Sequence, residues 1–209
     1  MGIAPVGIAP VGIAPAAVDP QQLFPNLFPT GRPGIQPLRR TCMNEGTGTM
    51  AIQVGDKIPS GTLHQLTENG PEAITTEEIF AGKKVVLFAL PGAFTPTCSA
   101  KHLPGFVAKA DEIKAKGVDT IACLSVNDAF VMGAWGKDQG VGDKVLMLAD
   151  GIAEFTQALG LELDLTSRAM GMRSDRYAMI VDDGVVTLLN REEPRAFEVS
   201  SAEAILEAL

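Results

Sequence analysis

The chain has 209 residues and a net charge of −8, from 25 acidic and 17 basic side chains, which argues against nucleic acid as a partner. No apolar run approaches the roughly 18 residues that a membrane helix needs, so no membrane partner is expected. Three cysteines, Cys42, Cys98 and Cys123, make an odd set without a regular framework. That pattern points away from a secreted disulfide scaffold and toward a reducing compartment.

Taken in order, the chain opens on a repeat: Gly2-Ile3-Ala4-Pro5, Gly7-Ile8-Ala9-Pro10 and Gly12-Ile13-Ala14-Pro15. A proline every fifth residue blocks both a helix and a central strand. Eight of the 14 prolines precede Met50, so residues 1–49 read as a disordered or extended extension and 50–209 as the folded domain. The extension carries three arginines against Asp19 and Glu45, whereas the remainder is strongly acidic. Scarce acids and the Arg39-Arg40 pair suit an organellar transit peptide, although the stretch has no serine and no amphipathic arginine face. The other reading is a linker, or sequence added upstream of a natural start at Met50. Cys42 is incidental in either case.

The folded part begins with a turn at Gly55-Asp56-Lys57-Ile58-Pro59 and a short capped helix over Thr76-Glu77-Glu78-Ile79-Phe80. His64 has no ligand-spaced neighbour and reads as a surface residue. Lys84 to Leu90 is an apolar run rich in β-branched and aromatic side chains, hence a buried strand. Pro91-Gly92-Ala93-Phe94-Thr95-Pro96-Thr97-Cys98 then breaks it, and a helical pattern of Cys98, Phe106, Val107, Ala110 and Ile113 follows. Strand, turn and helix leave Cys98 in a first helical turn, where free N–H groups and the helix dipole favour a thiolate. Thr95 lies three residues earlier, close enough in a turn to aim its hydroxyl at whatever the sulfur attacks. Pro104-Gly105 inside this helix predicts a kink. His102, one turn after Cys98, could pair with it as Cys/His couples do, but reads rather as a capping or packing residue.

Asp119 to Val126 is the next parallel strand, joined through the long helix as a right-handed βαβ unit. Asn127-Asp128 starts a helix running through Lys137, on which Trp135 packs. Lys144 to Ala149 is a third strand, and Gly151 to Leu159 another helix. Arg176 to Val181, the turn Asp182-Asp183-Gly184, and Val185 to Leu189 read as a β-hairpin. Alternation puts Arg176 on one face with Ala178 and Ile180. A guanidinium on an apolar face needs an anion, and a thiolate is a fitting one. The alternative is that Arg176 frays into solvent at the strand start.

The run Pro91 to Ser99, continuing through His102-Leu103-Pro104-Gly105-Phe106, resembles the active-site segment of type II peroxiredoxins, thiol peroxidases on a thioredoxin-like fold. Cys123 to Phe130, Gly160 to Leu165 and Ser200-Ser201-Ala202-Glu203 are similar to the same subfamily, so the resemblance covers roughly Ala51 to Leu209. It implies an α/β architecture, a central mixed β-sheet flanked by helices. It also implies a peroxidase in which Cys98 reduces hydrogen peroxide and alkyl hydroperoxides and becomes a sulfenic acid. Thr95, Arg176 and the Cys98 N–H hold the peroxide oxygens, and Pro91 shields the pocket.

The arginine before Tyr177 matches the family's active-site arginine, which decides the reading of Arg176. Asp175 departs from the pattern, and an acid there weakens the field of its neighbour. Cys123 stands where plant-type members carry a second cysteine, so it is either a resolving thiol or a core residue. Regeneration then falls to glutathione and glutaredoxin or to thioredoxin as co-substrate, with no bound cofactor and no metal. The resemblance further implies a homodimer built around the active-site loops. Lys137 to Asp150 and Arg176 to Asn190 are most similar to plastid members, which favours the plastid stroma over the cytoplasm. A peroxide sensor using the same cysteine as a switch is the alternative function. A thiol–disulfide oxidoreductase is disfavoured, because Thr95 occupies the place of the first cysteine in Cys-x-x-Cys.

Overall fold

The computed structural model describes residues 50–209. The expected extension, with its repeat and Cys42, lies outside them. The first feature is a hairpin of β1 (Thr62–Thr67) and β2 (Gly70–Thr75). Its two-residue tip is Glu68-Asn69, and Gly70, which opens β2 opposite Thr67, has φ 111°, a value that favours glycine. The sequence reading passed over this hairpin, although an Asn-Gly pair is a strong local signal for one. Helix α1 (Thr76–Phe80) forms as expected: the Thr75 side chain accepts from the Glu78 N–H, and the Glu78 carboxylate accepts from the Thr75 N–H.

Strand β3 (Lys84–Ala89) leads into a π-helical turn (Cys98–His102) and then α2 (Leu103–Ala115). After these come β4 (Thr120–Ser125), α3 (Ala129–Asp138), β5 (Leu146–Ala149), α4 (Glu154–Ala158) and a small separate ribbon of β6 (Glu162–Asp164) with β7 (Met172–Ser174). The chain closes with the hairpin β8 (Tyr177–Asp182) and β9 (Val185–Arg191), then α5 (Ala202–Ala208). The ribbon and α5 were not anticipated.

The main sheet has the order β2-β1-β5-β4-β3-β8-β9. Its centre, β3, β4 and β5, is parallel; β8 joins β3, and β1 joins β5, antiparallel. This is the expected α/β arrangement, a mixed sheet between helices. Alternation along β3 divides the core. Val86, Phe88 and Leu90 face a cluster with α2, α5, Cys98 and Cys123, while Val85, Leu87 and Ala89 face a second with α1, α4 and Tyr177.

The kink expected at Pro104-Gly105 takes a different form. Pro104 follows the π turn with no break in helical conformation, and the irregularity lies just upstream as that turn. The proline ring crowds the carbonyl four residues back, that of Ala100, inside this turn. The Leu103 N–H then bonds the Cys98 carbonyl, five residues back.

Candidate active site

The turn from Pro91 to Cys98 is tied down on three sides. Ala93 N–H donates to Asn127 Oδ1 at 3.0 Å, and Ser125 Oγ donates to the same oxygen at 2.8 Å. Thr95 Oγ1 donates to the Gly92 carbonyl at 2.8 Å. Arg173, from β7, reaches the Pro91 carbonyl with Nη1 at 3.4 Å while its Nε holds the Met170 carbonyl. Phe94 at the tip adopts φ 58°, an uncommon conformation for a bulky residue that these ties hold in place. The first intrahelical acceptor is the Thr95 carbonyl, which takes the Ser99 N–H at 3.0 Å. The Cys98 N–H precedes it, among the first-turn donors that a helix leaves over.

Cys98 is fully buried, and Arg176 faces it with Nη2 3.5 Å from Sγ. Register explains the meeting. Tyr177 pairs with Ala89, so Arg176 falls level with the end of β3, where the turn begins. Alternation then gives Arg176 the face of Ala178 and Ile180, which border Cys98 in the first core cluster. The alternative of a frayed, solvated arginine is set aside. Asp175, on the opposite side of the strand, has its own partner: Arg191 Nε donates to its carboxylate at 2.9 Å. Burial pushes the Asp175 carboxyl up, and the Arg191 charge opposes that. Its carboxylate therefore has a closer claim on Arg191 than on the site.

His102 is buried in an aromatic box, with ring centroids of Phe88 at 5.0 Å, Phe106 at 5.7 Å and Phe197 at 5.1 Å. It does more than the capping or packing expected of it. Nε2 lies 3.0 Å from the Ser200 carbonyl, and Nδ1 lies 3.0 Å from Arg176 Nη1. Burial first, then the Arg176 charge, push its pKa down to about 3, against the opposing effect of the hydrogen bond it makes to the Ser200 carbonyl. The ring is neutral near pH 7. Trp135 packs as expected and also donates from Nε1 to Ser99 Oγ, beside Cys98, at 3.0 Å.

The structure thus brings together Pro91, Thr95, Cys98 and Arg176. Cys123 is a free, fully buried thiol on the same side of the sheet; burial, and secondarily the nearness of Cys98, push its pKa well up. Among the described residues no group of three or more His, Cys, Asp and Glu could hold a metal. Asn127, Arg173, His102 as a partner of Arg176, and Ser200 were not read as site residues. Their sequence signals are membership of the Pro91–Phe106 run for His102, of the Cys123–Phe130 and Ser200–Glu203 segments for Asn127 and Ser200, and the arginines on either side of Ser174-Asp175 for Arg173.

A buried cysteine at a helix start, an arginine aimed at it and a proline- and threonine-bearing turn on a mixed sheet define a thiol-based redox protein. The family model described as Redoxin matches residues 53–206. Within that class the chain belongs to the type II peroxiredoxins, which are thiol peroxidases. It is 56% identical to Peroxiredoxin-2E, chloroplastic, of Arabidopsis thaliana, with 77% of this chain and 70% of that protein covered. It is 53% identical to Peroxiredoxin-2B of the same plant, covering 76% and 98%. Among solved structures it is similar to reduced Prx3 of Vibrio vulnificus in complex with hydrogen peroxide. That match has 60% identity and a TM-score of 0.73, with 75% of this chain and 98% of that one covered.

Proposed function

We propose that this peroxidase reduces hydrogen peroxide and alkyl hydroperoxides with Cys98 as the attacking sulfur and Thr95, Arg176 and Pro91 as its active-site companions. The observation that carries the reading is the Arg176 guanidinium held 3.5 Å from Cys98 Sγ beside the Thr95 turn. The Cys98 thiolate attacks the terminal oxygen of the peroxide, an S–O bond forms and the O–O bond breaks. The proton of the attacked hydroxyl ends on the leaving oxygen, which departs as water or alcohol, and the sulfur is left as a sulfenate that takes a proton from solvent to become the sulfenic acid. Thr95 Oγ1 spends its own proton on Gly92, which leaves its lone pairs to accept the peroxide O–H. Arg176 and the Cys98 N–H donate to the oxygens as negative charge develops on them. Pro91 walls the site from water. No bound cofactor or metal takes part.

An external thiol reduces the sulfenic acid, supplied as glutathione with glutaredoxin or as thioredoxin. Cys123 supports this route better than an internal disulfide, because a fully buried thiol pushed well up in pKa is a poor nucleophile. Intact mass after one equivalent of peroxide reads this directly: a sulfenic or glutathione adduct on Cys98 supports it, and a Cys98–Cys123 disulfide overturns it. The peroxidase reading is tested with Cys98→Ser, which is expected to abolish peroxide consumption coupled to a thiol reductant. Surviving turnover overturns the assignment of Cys98, and stoichiometric oxidation without turnover in the wild type supports the sensor instead.

The protein acts as a homodimer in the plastid stroma. Phe94, Phe130 and Ile152 are large apolar side chains left 56%, 63% and 81% exposed. Phe94 lies in the active-site turn and near Trp135 of α3, while Phe130 sits at the start of that helix. A patch of this kind suits a second copy. Sedimentation of the Phe130→Asp variant as a monomer, against a wild-type dimer, is the expected result. Two of the similar plant proteins carry chloroplastic names, which supports the compartment.

A further inference from the structure

Behind Cys98 and Arg176, hydrogen bonds close a circuit that returns to its starting residue. The Glu192 N–H, just past β9, donates to the main-chain carbonyl of Arg176 at 2.9 Å. The Glu192 carboxylate turns back on the chain that follows. Its Oε1 accepts from Glu198 N–H, Ser200 N–H and Ser200 Oγ, each at 2.8 Å. Three donors on one carboxylate oxygen fold residues 192–200 into a clasp. The clasp presents the Ser200 carbonyl to His102 Nε2 at 3.0 Å. A carbonyl only accepts, so Nε2 carries the proton and Nδ1 keeps its lone pair. A guanidinium only donates, and Arg176 Nη1 lies 3.0 Å from that lone pair while Nη2 turns to Cys98. Phe197, inside the clasp, adds a ring 5.8 Å from the guanidinium carbon.

We propose that Glu192, Ser200 and His102 are positioning residues: the Glu192 clasp fixes His102 as a neutral acceptor, and His102 aims Arg176 at Cys98. The proposal deepens the peroxidase reading, since it rests on Arg176 serving Cys98. A long, half-buried arginine has many rotamers, and the circuit selects one. The carboxylate acts from the outside through two residues, and Ser200 acts through its main chain. A misaimed guanidinium loses its contact with the sulfur and with the oxygen being displaced.

The rival account is that His102 merely fills its aromatic box. His102→Phe keeps a ring and removes the acceptor, whereas His102→Gln removes the ring but can still accept from Arg176 and donate to Ser200. Two rates are measured for each: oxidation of Cys98 by hydrogen peroxide in stopped flow, and alkylation by iodoacetamide located at Cys98 by peptide mass spectrometry. His102→Phe is expected to slow both by about tenfold to a hundredfold, the range that small misplacements of catalytic groups cost. His102→Gln is expected to restore most of the loss. A wild-type rate in His102→Phe, or a slower His102→Gln than His102→Phe, overturns the proposal.

Glu192→Ala and Glu192→Gln supply a second pair that leaves the aromatic box intact and remains decisive should His102→Phe fail to fold. The alanine is expected to slow Cys98 several-fold and the glutamine, whose amide oxygen still accepts, less. Equal rates in Glu192→Ala and wild type overturn the clasp. Alkylation needs no peroxide, so a wild type inert to peroxide sinks the peroxidase reading while the order of the variants still decides the positioning circuit.

Discussion

Arg176 has two jobs for one fork of donors, and lysine cannot do both. An ammonium is a point charge on a flexible stem, without the planar geometry that reaches His102 and Cys98 together. Arg176→Lys is therefore expected to slow oxidation of Cys98 by roughly tenfold or more, the cost of about one charge-assisted hydrogen bond. Stopped-flow oxidation checks this, and a wild-type rate in Arg176→Lys counts against a directed role for the fork. His102 makes a separate prediction. Its folded pKa of about 3 lies below the ordinary 6.5, so between those values the unfolded chain binds a proton that the folded chain refuses. Stability contributed by the neutral ring is present above pH 6.5 and is lost as pH falls toward 3, at up to about 1.4 kcal/mol per pH unit. Urea unfolding at pH 7, 6 and 5 is expected to show a steeper decline for the wild type than for His102→Gln.

Between elements, two glycines are fixed by close approach. A Cβ at Gly133 of α3 lies 2.7 Å from Leu66 Cβ on β1, an atom that no side-chain rotation moves. Alanine gains up to about 1 kcal/mol of helix propensity there, but overpacking costs about 1–3 kcal/mol, so the clash wins. Gly133→Ala is expected to lower the urea midpoint. A Cβ at Gly92 meets Arg173 Nη1 at 2.9 Å and Thr95 Cγ2 at 3.3 Å, both ends of side chains that can give way. Gly92→Ala is therefore expected to leave the urea midpoint nearly unchanged while slowing peroxide consumption, because what moves is the support of the Thr95 turn. A drop in stability without loss of rate contradicts that. These cases also mark what could be read from sequence. The strand, turn and helix around Cys98 are local and carry their own punctuation in prolines and glycine. Arg176 needed only the period of a strand. The bonds that aim it join residues 74 and 98 positions apart, His102 with Arg176 and with Ser200, and no local pattern encodes such pairings. The β1–β2 hairpin escapes the sequence pattern because Gln65, Thr67 and Glu72 blur the alternation on either side of its Glu68-Asn69 turn.

For the molecule as a whole, two buried groups on the Cys98 side of the sheet set opposite edges to its pH range. His102 erodes stability on the acid side. Cys123 acts on the alkaline side: its folded pKa is raised well above the ordinary 9.0, so its thiol favours folding below pH 9 and loses that contribution as pH climbs beyond it. Urea midpoints taken from pH 7 to 10 are expected to fall above pH 9 in the wild type and to fall less in Cys123→Ala.

The complete enclosure of Cys98 also divides the catalytic cycle by size. In the proposed reaction a peroxide is small enough to reach Cys98 with small side-chain motions, whereas a thiol reductant the size of a tripeptide or a protein is expected to need a larger opening. On the proposed cycle, oxidation is expected to proceed on the closed shape, and reduction of the oxidised sulfur to require the π turn to loosen. Warming should quicken the second half of the cycle far more than the first, so that the step limiting throughput at low temperature is an opening and not a chemical event.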